Sequence, residues 1–151
     1  MRLLCDEMLA GFGRWLRAAG YDTALARPGR PDRELVERAA AEGRVLLTAD
    51  RLLARRRTTA RILLLQNDFE ADAAIVKREL GIDWLLAPFS RCVMDNTVLH
   101  EAGPEAMAKV PAEARGLPGP FMACPTCGRV YWPGSHVKRM RARLETWAGR
   151  A

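Results

Sequence analysis

Gly43-Arg44-Val45-Leu46-Leu47-Thr48-Ala49-Asp50 is the stretch on which the fold turns. Val45-Leu46-Leu47 is a compact apolar run, the pattern of a parallel strand covered on both faces. Thr48-Ala49-Asp50 follows at its carboxyl end, where a strand gives way to the next element. Working outward, the pattern recurs. Arg2 to Cys5 reads as a first strand that delivers Asp6, Tyr21 to Leu25 as a second, and Ile62 to Leu65 as a fourth. Between them lie helical periods. Met8, Phe12, Trp15, Leu16 and Ala19 recur at helical spacing up to a C-cap at Gly20. Asp32 caps a second helix whose apolar face is Leu35, Val36, Ala39 and Ala40, ending at Gly43. A short Arg-rich helix is expected from Arg51 to about Arg57, and another from Glu70 to Leu80, closed by Gly81. Strand and helix in alternation predict an α/β fold, a parallel sheet flanked by helices. The functional crevice of such a sheet lies outside the carboxyl ends of its strands, where Asp6 and Asp50 both fall.

The composition changes near Pro88, which divides a domain of residues 1–87 from a smaller C-terminal part, 88–151. Cys92-Val93-Met94-Asp95 and, about thirty residues on, Cys124-Pro125-Thr126-Cys127-Gly128 have the spacing of two metal-binding knuckles. Two such turns can close one tetrahedral zinc site, and Gly128 permits the positive φ that the second turn needs. The ligand set is three thiolates, Cys92, Cys124 and Cys127, with one carboxylate, Asp95, where the usual pattern has a fourth Cys. His100 and His136 are alternative fourth ligands, and a metal-free hairpin with buried thiols is the plainer reading. Short strands and turns are expected around the knuckles, with Glu101 to Pro120 a mobile or partly helical insertion. An amphipathic helix from about Val137 to Trp147 is expected to pack back on the first domain.

The 151 residues suit one ordinary domain with a small appendage. No segment has the ~20 uncharged apolar residues of a membrane span, and Cys5-Asp6-Glu7 interrupts any signal-peptide core, so a soluble, cytoplasmic protein is expected. Four cysteines, three in knuckles and Cys5 in a strand, do not read as a secreted disulfide framework. A net charge of +6 favours a polyanionic partner. Arg51, Arg55, Arg56, Arg57 and Arg61 form one basic block, and Lys138, Arg139, Arg141 and Arg143 another. A solvated helix face is the bland alternative for each.

Asp6, Asp32 or Glu34, and Asp50 are three carboxylates that the sheet can bring to one edge, with Asp68 a fourth. Carboxylate oxygens suit Mg²⁺ or Mn²⁺, which keep waters for a phosphate to displace. Against this, an Asp between strand and helix is a routine N-cap worth about 1 kcal/mol. Thr48 has a hydroxyl for a bound water or phosphate, and Asn67 and Asn96 are further polar residues that turns favour for conformational reasons.

Several runs together resemble a known family. They are Asp6-x-Met8-Leu9, Arg14-Trp15-Leu16-Arg17-x-x-Gly20-Tyr21-Asp22-Thr23 and Gly43 to Leu53, then Phe89-Ser90-Arg91-Cys92 and Cys124-x-x-Cys127-Gly128-Arg129-Val130-Tyr131-Trp132-x-Gly134-Ser135-His136. The chain resembles PIN-like ribonucleases of the Mut-seven C-terminal domain type over nearly its whole length. The resemblance implies a PIN-like nuclease domain with a C-terminal zinc ribbon, cutting RNA with a divalent metal. It makes Asp6 and Asp50 metal ligands with Asp32 or Glu34 as third, and puts Cys92, Asp95, Cys124 and Cys127 at the zinc positions. Arg14, Arg17, Thr48 and Arg51 would steady the RNA backbone. Three departures stand out: Asp95 for a Cys, Ala49 for an Arg, and Gly13, a helix-weakening residue inside the first helix. The alternatives are a non-catalytic RNA-binding module, in which the acids only cap helices, and a nuclease toxin held by an antitoxin partner.

Overall fold

The computed structural model describes all 151 residues. Four short strands, β1 (Arg2–Cys5), β2 (Asp22–Leu25), β3 (Val45–Thr48) and β4 (Ile62–Leu64), form a wholly parallel sheet in the order β2-β1-β3-β4. The register pairs Leu4 with Ala24 on one side and with Leu46 on the other, and Leu47 with Leu63. A single 3-10 turn (Glu7–Leu9) leads into α1 (Ala10–Ala18). Then come α2 (Asp32–Glu42), α3 (Arg51–Ala54) and α4 (Phe69–Leu80).

Side-chain alternation along the strands sorts the molecule into layers. Leu3, Cys5 and Leu47 face a large core with Phe12 and Leu16 of α1 and Val76 and Leu80 of α4. Leu4, Ala24 and Leu46 face the other way, onto Leu35, Val36 and Ala39 of α2 and Leu53 of α3. The expected sheet with helices on both faces is therefore the one observed. Cys5 is the expected core thiol, and burial pushes it up to about 12, so it stays protonated.

Gly13 proves to be a packing residue. A Cβ there would lie 2.4 Å from Leu25 Cδ2 and 3.2 Å from Cys5 Sγ, so glycine is what lets α1 cross β1 and β2 this closely. The helix propensity it sacrifices is about 1 kcal/mol. Two boundaries differ from expectation. The Arg-rich helix stops at Ala54, which leaves Arg55, Arg56 and Arg57 exposed beyond it, three adjacent like charges that gain from water more than from a further turn. Asp32 does not cap α2: it is the first helical residue, and Pro31 in the cap position makes no side-chain bond.

The C-terminal part carries a three-stranded antiparallel sheet, β5 (His100–Glu101), β6 (Met122–Ala123) and β7 (Val130–Tyr131), with α5 (Pro104–Met107) in the insertion. The last helix, α6 (Ser135–Gly149), packs back as expected and enters the large core through Leu144 and Trp147. Trp147 meets Trp84 with ring centroids 4.8 Å apart and Trp15 at 5.2 Å. Its indole N–H donates to Glu70 Oε2 at 3.0 Å, and Arg143 donates to Glu70 Oε1 at 2.8 Å. No helix is long and apolar enough to cross a membrane.

Candidate functional site

The strand order reverses between β1 and β3, because α1 and α4 lie on one face of the sheet and α2 and α3 on the other. Asp6 and Asp50 follow those two strands, at the topological switch point where parallel sheets open a crevice. The backbone ladder runs one residue past β1: Asp6 N–H donates to Leu47 O at 2.9 Å, which fixes Asp6 against β3. Thr48, fully buried, joins the two acids. Its hydroxyl donates to Asp6 Oδ2 at 2.7 Å and accepts from the Asp50 backbone N–H at 3.0 Å. Thr48 thus links the two acid positions from a buried place between the strands.

Both acids also cap. Asp6 Oδ1 accepts from Glu7 N–H at 2.7 Å, and Asp50 Oδ1 accepts from Leu52 and Leu53 N–H at 2.8 and 3.2 Å. Capping holds the carboxylates in fixed rotamers and leaves lone pairs on each, since a carboxylate has about four acceptor sites. Asp6 lines a cleft of about 280 Å³ with Glu7, Glu34, Arg27, Arg30 and Arg38. Of the two alternatives for the third acid, Glu34 lines this cleft and Asp32 does not. Glu7 was not singled out in the sequence, although it follows Asp6 directly. No three of Asp6, Asp32, Glu34 and Asp50 converge into a ready-made cage; the only such cluster lies in the knuckles. The acids are still a hard oxygen donor set, and Mg²⁺ typically takes only one or two protein carboxylates, with water and phosphate completing its shell.

Arg17 is buried, and its guanidinium donates to Thr23 O at 2.8 Å and Val93 O at 3.1 Å, so it ties α1 to β2 and the first knuckle. Arg14 and Arg51 are exposed. Asp68 caps α4 through Ala71 N–H at 2.8 Å. Asn67 and Asn96 both adopt positive φ, which Asn tolerates in turns. Asn96 also accepts from Thr23 N–H at 3.0 Å and donates to Asp22 Oδ1 at 2.8 Å, pinning the knuckle to β2. Asp22, on the opposite edge from Asp6, was missed as a hub: Arg44 donates to its Oδ1 at 2.8 Å. Burial alone would raise its carboxyl, but the bonds from Arg44 and Asn96 outweigh that and hold it at about 2. Asp72 was missed too. Buried near the end of β4, it accepts from Gln66 and Asp68 N–H at 2.7 and 3.1 Å, and burial still pushes its carboxyl up.

The knuckles do converge. Cys92, Asp95, Cys124 and Cys127 each offer a ligand atom, all within 4.8 Å of one another. Cys92 and Cys127 Sγ are 3.6 Å apart, and Cys124 Sγ lies 3.3 Å from Asp95 Oδ2. A tetrahedral ion with Zn–S of ~2.3 Å and Zn–O of ~2.0 Å requires edges of roughly 3.8 Å between sulfurs and 3.5 Å from sulfur to oxygen, so the donor set fits zinc. Neither His100 nor His136 joins it. Gly128, at φ +78°, turns the second knuckle as expected. Around the ligands, Tyr131 Oη lies 3.2 Å from Cys92 Sγ and accepts from Val93 N–H. Burial opposes the Cys124 thiolate, but N–H groups of Cys127 and Thr126 outweigh it and lower the thiol below its usual range.

No curated protein and no solved structure matches the chain. The family model described as Mut7-C RNAse domain does, over residues 1–144. The match runs from the first strand, through the acids and both knuckles, into α6, and it bears out the resemblance carried by the motifs. The chain belongs to the Mut7-C RNAse domain family.

Proposed function

We propose that this protein is a divalent-metal-dependent ribonuclease with a PIN-like active site in residues 1–87 and a structural zinc site in 88–151. The observation that carries the reading is Asp6 and Asp50 at the switch point, tied together by the buried Thr48 hydroxyl. Asp6 and Asp50 would hold Mg²⁺ or Mn²⁺, with Glu34 the better placed third acid. The ion would supply charge neutralisation at the phosphodiester and a more acidic water. The chain's own part is positioning. Thr48 and the capped N–H groups fix the carboxylates before substrate arrives, and preorganisation of this kind spares reorganisation during reaction. Arg51, exposed directly after Asp50, and Arg14, exposed on α1, are the groups we assign to the RNA backbone. No side chain needs to act as nucleophile.

The test is cleavage of a labelled single-stranded RNA by wild type and Asp6→Asn/Asp50→Asn, with Mg²⁺, Mn²⁺ or EDTA. Asn keeps the capping oxygen, so the variant retains the fold while losing the charge. Metal-dependent cutting that the variant loses supports the reading. No cutting under any condition, with RNA binding equal in both proteins, supports the RNA-binding module instead.

A further inference from the structure

The run Val130-Tyr131-Trp132-Pro133-Gly134-Ser135-His136 serves neither the acids nor, Tyr131 apart, the thiolates. All of it but Pro133 lines a cavity of about 510 Å³ between the first knuckle and the start of α6, a volume in the range of small-ligand sites. Met94 from the knuckle forms one wall, Trp132 and Tyr131 another, and Arg129 and His136 stand at it. No acidic residue lines it, whereas Asp6, Glu7 and Glu34 all line the cleft at the acids. Gly134 is required for the aromatic wall: a Cβ there would lie 2.9 Å from Trp132 Nε1. Phe121, which does not line the cavity, stacks on Trp132 at 6.5 Å between centroids and 23° between planes. Lys138 and Arg139 follow at exposed positions near the start of α6.

From this arrangement we infer that the cavity is a subsite for single-stranded RNA, one base against Trp132 and Met94 and its phosphate at Arg129, a proposal that rests on RNA being the substrate. An aromatic face with a neighbouring cation is how proteins hold unpaired bases without reading sequence. The cleft at the acids sets Asp6, Glu7 and Glu34 against Arg27, Arg30 and Arg38, whereas the cavity carries Arg129 with no acid beside it to compete for that cation. Asn96 pins the knuckle at the amino end of β2, and the acids stand at the carboxyl ends of β1 and β3. An RNA that reaches both therefore passes from the amino side of the sheet to its carboxyl side.

The probe is a fluorescein-labelled oligouridylate long enough to span the strands, titrated by anisotropy into the Asp6→Asn/Asp50→Asn protein. Trp132→Leu keeps the apolar bulk and removes the π face; Trp132→Phe keeps both. The Leu variant is expected to bind roughly ten- to hundredfold more weakly, with Phe close to the parent. Arg129→Ala/His136→Ala, at exposed positions, decides the matter if Trp132→Leu does not fold, and it should weaken binding and flatten its salt dependence. In the cleaving protein the same changes should raise KM for the long RNA and leave a dinucleotide's unchanged. Equal binding by parent, Leu and Arg/His variants would overturn the inference while leaving the nuclease reading intact; so would an absence of oligouridylate binding, which would point to a protein as the cavity's occupant. Weakened binding in the variants of a protein that cuts nothing would uphold the cavity and sink the nuclease.

Discussion

Thr48 touches both acids through one oxygen, and removing that oxygen is the sharpest single-residue perturbation of the site. Thr48→Val is nearly isosteric, and it leaves Asp6 Oδ2 without its donor and the Asp50 N–H without an acceptor. We expect turnover to fall about tenfold or more with KM little changed, and Thr48→Ser to restore most of it, read in steady-state cleavage assays. Asp22 yields a prediction in pH. Its folded carboxyl is held at about 2, below the unfolded value near 4, so its contribution is present above the unfolded value and is lost as pH falls towards 2. That contribution is about 2 kcal/mol at neutral pH, and Asp22→Asn should remove it at pH 7 but cost little near pH 2, measured by urea unfolding. Asp22 and the strand-end acids differ in how legible they were. Asp6 and Asp50 stand out because strand period and helix start are local signals. Asp22 does not, because Arg44 and Asn96 are 22 and 74 residues away and nothing in the local pattern announces them. Arg17 misled for a related reason: an Arg in an amphipathic helix reads as surface until the chain that buries it, including Val93 from the knuckle, is in place.

Among the elements, the knuckle pair depends most on something other than packing. Its own core is three buried residues, Cys92, Leu99 and Cys124, with Met122 and Tyr131 against them. So small a core supplies little stability of its own, and a metal held by the four donors would add to it. Native mass spectrometry should find one zinc per chain. A chelator should lower the melting temperature of the ribbon and open it to protease, with the parallel sheet still folded. Asp95→Cys, which completes an all-sulfur set, should raise zinc affinity, and Asp95→Ala should lower it, measured by competition with a chromogenic chelator. The knuckles were legible in the sequence because ligand spacing is local. The lengths of the flanking strands were not, since two-residue strands leave no periodic signal.

Across the whole molecule, the division suggested by composition near Pro88 is crossed by the core. Leu144 and Trp147 of α6 lie in the same cluster as Leu3, Phe12 and Trp84. Trp147→Ala should therefore cost about 3–5 kcal/mol, as a large core truncation does, and unfold the parallel sheet at lower urea, detectable by circular dichroism. Ending the chain before α6 should be worse, leaving the face shared by α1 and α4 bare and prone to aggregation. Helix packing across sequence-distant segments is what pattern reading captures least: the amphipathic period of α6 announced a buried face, but only the fold identifies Trp15 and Trp84 as what it covers. That closing contact also bears on the order of events during synthesis. Both strand-end acids leave the ribosome early, yet the tryptophan cluster that completes the layer beneath them waits for residues 135–149. A nascent chain still short of those residues carries both strand-end acids on an unfinished scaffold, whose core closes only once α6 has emerged.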